Sequence, residues 1–109
     1  MSITRQQITN VIDWAMDRGI LTNGTPVSQA AKGLEEYVET LQAIVASDGQ
    51  LTSAVQDGIG DVLVTLIILA RMLGTDIGTC LDMAIREISD RDGQMEGGFF
   101  VKNYGGTDD

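Results

Sequence analysis

Five carboxylates in two short stretches have the spacing to do chemistry. Glu35, Glu36 and Glu39 stand in KGLEEYVET, and Asp57 and Asp61 in DGIGD. Residues three or four apart share a helix face, so each set converges on one face if its stretch is helical. Converging carboxylates resist being brought together. At about 6 Å a pair repels by roughly 3 kcal/mol at an effective dielectric near 20. Such groups stay exposed, take up protons or gather around cations, and oxygen-only ligands at close quarters suit Mg²⁺ or Mn²⁺. Two readings are open. One is a solvated acidic face on the first stretch, with a favourable dipole interaction at the helix start in the second. The other is a divalent metal centre. Asp61 weighs toward the metal, because it lies beyond the first turn and directly before the apolar run VLVTLIILA. Gly58 and Gly60 each cost roughly 1 kcal/mol inside a helix. Their lack of side chains admits close approach of a neighbouring helix, a metal-bound water or a phosphate; plain helix packing explains them equally well.

The elements that must position these acids are helices. Thr4 and Gln7 form a capping box before Ile8, Val11, Ile12, Ala15 and Met16, which recur at helical spacing. A first helix is predicted over roughly 4–18, then a loop over Leu21–Thr25. Thr25-Pro26 reads as an N-cap with proline at the first helical position, opening a second helix over roughly 26–46. Thr52 or Ser53 opens a third that ends before Gly74, and Asp76 can cap a fourth over roughly 77–91. The remainder, glycine-rich and without a strand pattern, holds the short anchor Phe99-Phe100-Val101, and a flexible tail is expected over about 103–109. The prediction is an all-α, four-helix protomer forming one domain over 1–109. The second and third helices, joined by a short connection, must run antiparallel. Val62, Leu63, Val64, Leu66, Ile67, Ile68 and Leu69 cover the whole circumference of the third, and such a helix needs burial all round. The bundle is therefore expected to be completed by oligomerisation, as a homodimer or homotetramer.

Composition removes several classes of function. Net charge is −9, which disfavours nucleic acid and anionic membranes as partners. There is no histidine, so His-dependent nucleophilic catalysis and His-containing zinc sites are excluded. The single cysteine, Cys80, makes no intrachain disulfide, fits a reducing cytoplasm and is expected in the core. MSITRQQ lacks a signal-peptide core, and the longest apolar run, Val62–Ala70, interrupted by Thr65, is too short to span a bilayer.

At the acidic residues the chain resembles the MazG-like branch of the all-α nucleoside triphosphate pyrophosphohydrolases. Glu35-Glu36-x-x-Glu39 matches the first half of that family's pattern, and Asp61 before VLV matches its terminal aspartate and apolar helix. The likeness runs upstream through Gln29–Lys32 and Trp14. Downstream, AIREISDRDGQMEGGFFVK resembles the tail of a small bacterial and phage-encoded subgroup. It thus covers about residues 8–102. One departure stands out: the glutamate expected three residues before Asp61 is Gly58, and Asp57 is the nearest acid. Four residues from Asp61, Asp57 returns to nearly the same helix face.

The resemblance implies Mg²⁺-dependent hydrolysis of a nucleoside triphosphate, such as the deoxynucleotide dGTP, to a monophosphate and pyrophosphate. It implies Glu36, Glu39, Asp57 and Asp61 as metal ligands, with Mn²⁺ an alternative ion. Glu35 and Glu36 are the candidate catalytic carboxylates, and ligand and general-base roles are not separated for Glu35. Lys32, Arg86, Arg91 and Lys102 are candidate phosphate donors, although Arg86 with Asp90 and Glu87 with Arg91 also read as surface ion pairs. Trp14 is a candidate base-stacking residue or a core residue. The expected location is the cytoplasm, that of a host if the chain is phage-encoded. The rival reading, motivated by Gly58, is a catalytically silent helical dimerisation or nucleotide-sensing module.

Overall fold

The two acidic stretches lie on neighbouring helices, and helix capping explains where each begins. A computed structural model describes residues 1–103, so the expected flexible tail beyond Asn103 lies outside the described residues. The chain divides into two units, Met1–Ile77 and Gly78–Asp109.

The first unit holds α1 (Arg5–Asp17), α2 (Ile20–Asn23), α3 (Pro26–Ala46) and α4 (Ser53–Met72). Thr4 caps α1: its hydroxyl accepts from the Gln7 backbone N–H at 3.1 Å, and the Gln7 side chain accepts from Thr4 N–H at 2.8 Å. Thr25 and Ser28 make the same reciprocal pair at the start of α3, with Pro26 in the first turn. Thr52, rather than Ser53, caps α4 through the Val55 N–H. The predicted loop at 21–25 is shorter, because residues 20–23 close one helical turn. Asn23 and Gly24 donate to the Gly19 and Ile20 carbonyls.

Helix α3 packs along α4, and α1 packs against α4 and α2. Two reciprocal contacts set the α3–α4 approach. A Cβ on Gly58 would lie 2.5 Å from Thr40 Oγ1, and one on Gly33 would lie 3.0 Å from Thr65 Oγ1. Residues 33 and 40, like 58 and 65, are seven apart, about two helical turns. Two crossing points in opposite order make the pair antiparallel and close-set. Each threonine turns its hydroxyl back onto its own helix, Thr40 to Glu36 O at 2.8 Å and Thr65 to Val62 O at 2.7 Å. Among the described residues no buried side-chain hydroxyl is left unpaired.

The core of this unit is small: Ala15, Val55, Ile67, Ile68 and Ala70, with Gln29, Thr40 and Thr65 as its buried polar members. Gln29 Nε2 crosses from α3 to donate to Thr65 O at 3.2 Å. Gln29→Leu is therefore expected to lower stability by about 1 kcal/mol, read as a reduced urea midpoint at unchanged slope. The expectation of all-round burial for α4 is not met within one chain, since Ile59 and Leu66 are exposed. As a whole helix, rather than an uninterrupted run, α4 is long and apolar enough to cross a membrane, with a mean hydropathy of 1.6. In this unit it packs instead along α3 and α1.

The second unit contains α5 (Ile77–Ser89) and an antiparallel hairpin of β1 (Gly93–Glu96) and β2 (Phe99–Lys102), paired Gly93 to Lys102 through Glu96 to Phe99. The hairpin corrects the strand-free prediction. Gly97 and Gly98 both have positive φ, 57° and 86°, as a two-residue turn matched to strand twist requires. Asn103 closes the hairpin onto the Asp92 backbone carbonyl and carboxylate. The fold is thus mainly helical, with five helices and one two-stranded sheet among the described residues. Cys80 is exposed on α5 rather than in the core.

Candidate metal centre

Antiparallel packing of α3 on α4 brings both acidic stretches to one cleft. Gly58 rests on Thr40, so the residues flanking that contact form its walls. Glu36, Glu39, Thr40 and Ala43 line it from α3, and Ala54, Asp57, Gly58 and Asp61 from α4, around a volume of 240 Å³. Glu35 stands at the rim. One carboxylate oxygen from each of Glu35, Glu36 and Glu39 lies within 4.8 Å of the others. Gly60 has open space where a side chain would project, so of the two glycines only Gly58 is needed for close approach.

The cleft carries more negative charge than the Lys32 ammonium offsets. Lys32 Nζ donates to Glu35 Oε1 at 2.9 Å and lies 3.3 Å from Glu36 Oε1. These hydrogen bonds raise the Lys32 pKa. The Asp61 carboxyl is also pushed upward, first by partial desolvation, then by the charges of Asp57 and Glu36, with Lys32 opposing. A raised carboxyl pKa means the folded chain keeps this proton to higher pH than the unfolded chain. Metal-free stability from this group therefore falls as pH rises from the ordinary value of 3.8 through the raised one.

The donor set fits a hard divalent cation, being carboxylate oxygens alone. Octahedral coordination at about 2.1 Å sets ligand oxygens roughly 2.9–4.2 Å apart. The 4.8 Å limit of the glutamate set is thus a small side-chain rotation from that geometry.

Of the remaining candidates, Trp14 is neither buried nor part of the cleft wall. It is 47% exposed on α1, with the Arg18 guanidinium 5.9 Å above its ring. Arg86, Arg91 and Lys102 belong to the second unit. Arg91 pairs with Glu87 at 3.6 Å, whereas the Arg86–Asp90 pair expected from spacing is not formed. Lys102 lines a separate cleft of 350 Å³ with Asp92, Gln94, Glu96 and Asn103. Two features of the site went unremarked in the sequence. The Lys32 pairing with Glu35 and Glu36 was available from their spacing of three and four residues. The Thr40–Gly58 contact had no local signal.

This is a mainly helical protein with an acid-lined cleft, and comparison with known proteins adds one relative. No family profile and no solved structure matches the chain. It is 32% identical over 71 residues to an uncharacterized 18.2 kDa protein in the rep-hol intergenic region of Haemophilus phage HP1 (strain HP1c1). The match covers 65% of this chain and 42% of that protein, so the chain spans less than half the length of this phage relative.

Proposed function

We propose that the chain is a divalent-metal-dependent nucleoside triphosphate pyrophosphohydrolase, yielding a monophosphate and pyrophosphate. One observation carries the reading: four carboxylates from two antiparallel helices, Glu36, Glu39, Asp57 and Asp61, wall a single cleft. The resemblance in motif order supports it, and so does the all-oxygen donor set. In this reading those four residues hold Mg²⁺ or Mn²⁺. The bound ion supplies neutralisation of the triphosphate and a lowered pKa for attacking water. Glu35, exposed at the rim, would add a ligand oxygen or accept the proton of the attacking water as the bridging P–O bond between the α- and β-phosphates breaks. Lys32, Arg86, Arg91 and Lys102 are the proposed phosphate donors, and Trp14 offers an exposed ring to the base. A deoxynucleotide such as dGTP is within the proposed substrate class, and the proposed setting is a cytoplasm.

The same reading includes a dimer or tetramer. Leu81, Ile85 and Ile88 recur on one face of α5 and all are exposed, as are Leu34, Leu41 and Val45 on α3. Apolar stripes of this kind call for a covering surface.

The test is direct. The purified 109-residue chain is incubated with Mg²⁺ and a panel of natural and modified triphosphates, and pyrophosphate is assayed. Release from at least one substrate, abolished by chelation, is the expected result. No release from any of them would overturn the enzyme reading in favour of a silent nucleotide-sensing module.

A further inference from the structure

We propose that Lys32 is an exchangeable internal counter-ion of the acidic cleft, holding Glu35 and Glu36 in the metal-free protein and yielding those oxygens when a divalent ion binds. The inference rests on the metal-site reading above and concerns how that site is loaded.

The geometry sets up a competition. Lys32 Nζ sits 2.9 Å from Glu35 Oε1 and 3.3 Å from Glu36 Oε1. Those two side chains, with Glu39, present the three oxygens that lie within 4.8 Å of one another. An ion gathered by this set draws on carboxylates already paired with the ammonium, and two cations sharing them at contact distance repel. Glu36 makes the pairing more than surface decoration, because its side chain is only 15% exposed. That carboxylate lines the cleft together with Asp57 and Asp61, where like charges favour a nearby cation.

Lysine suits the part. Its ammonium is a point charge on a flexible four-carbon stem, without the planar fork by which arginine locks onto a carboxylate. The Lys32 side chain is 52% exposed, so it can leave toward water without displacing packed neighbours. Exposed pairs of this type are individually weak, as an occupant that must depart requires. On leaving, the ammonium remains at the cleft rim, where its charge is available to triphosphate oxygens.

The chain contains two lysines, Lys32 and Lys102, so ¹⁵N spectra of the side-chain ammonium groups reduce to two assignable signals. Calorimetry with Mg²⁺ and with Mn²⁺ gives uptake by the same chain. The expected result is a Lys32 signal that moves toward that of a free lysine, with the midpoint of Mg²⁺ uptake. Lys32→Gln should bind Mn²⁺ alone about fivefold more tightly, the worth of one exposed ion pair at its upper end. Lys32→Arg, which keeps the charge, should not gain. Uptake by the wild type with an unmoved Lys32 signal, or with Lys32→Gln no tighter, overturns the exchange and leaves the metal site standing. Absence of uptake by both wild type and Lys32→Gln overturns the metal site and the exchange with it. If Lys32→Gln does not fold, the wild-type spectra, assigned with Lys32→Arg, decide alone.

Discussion

Asp61→Asn is expected to cut pyrophosphate release by at least about 100-fold while making the metal-free protein slightly more stable. Losing a group that merely orients a metal ligand already costs about 10–100-fold, and Asp61 is proposed to be a ligand itself. Stability should move the other way. Asp57 and Asp61 are like charges four residues apart on α4, and such a pair destabilises a helix by about 0.2–0.5 kcal/mol. The upward shift of the Asp61 carboxyl, caused in part by Asp57 and Glu36, has the same sign. Thermal melts in chelator should therefore show the variant roughly 1–4 °C above the wild type. Mg²⁺ should raise the wild-type midpoint by binding only the folded state and raise the variant's less. Glu39→Gln should follow the same pattern. A variant that keeps full activity would defeat the proposed role of these residues.

Gly58→Ala carries the second large effect, a stability loss of about 1–2 kcal/mol. The added methyl would meet Thr40 Oγ1 at 2.5 Å and both other Thr40 side-chain atoms within 3.3 Å. Overpacking of this kind costs about 1–3 kcal/mol, offset by up to about 1 kcal/mol from replacing a helix glycine. In a Thr40→Ala background only the Cβ contact at 3.2 Å remains, and the same substitution should cost much less or become neutral. A double-mutant cycle by urea denaturation should return a coupling of about 1–3 kcal/mol; strict additivity would show that the contact does not set the helix spacing. A side chain at position 58 would run into Thr40 of α3, and the acid that lines the cleft on this turn is Asp57. Gly58→Glu should accordingly push α3 and α4 apart and separate Asp57 and Asp61 from Glu36 and Glu39.

Local chemistry explains which parts of the fold were readable. The starts of α1, α3 and α4 are written in Thr4, Thr25-Pro26 and Thr52, because capping satisfies backbone N–H groups within three residues. The hairpin was also locally encoded. Gly97-Gly98 between Gln94-Met95-Glu96 and Phe99-Phe100-Val101 is a two-residue turn signal, passed over because the segment reads as glycine-rich and irregular. The single turn at Ile20–Asn23 is too short to carry apolar periodicity, so its sequence does not distinguish it from a loop. Helical pattern alone puts Cys80 in the core and leaves Trp14 open between core and base stacking, because periodicity says which residues share a face and not whether that face is covered.

The same distinction separates the two halves of the candidate site. Spacing along the chain placed Glu35, Glu36 and Glu39 on one helix face and Asp57 and Asp61 on another, since 3.6 residues per turn is a local rule. Bringing the two faces to one cleft is a long-range outcome. It depends on Gly58 against Thr40 and Gly33 against Thr65, contacts between residues 18 and 32 positions apart that no periodicity encodes. Only tertiary packing chose that register, because shape fit between two helix surfaces belongs to neither stretch by itself.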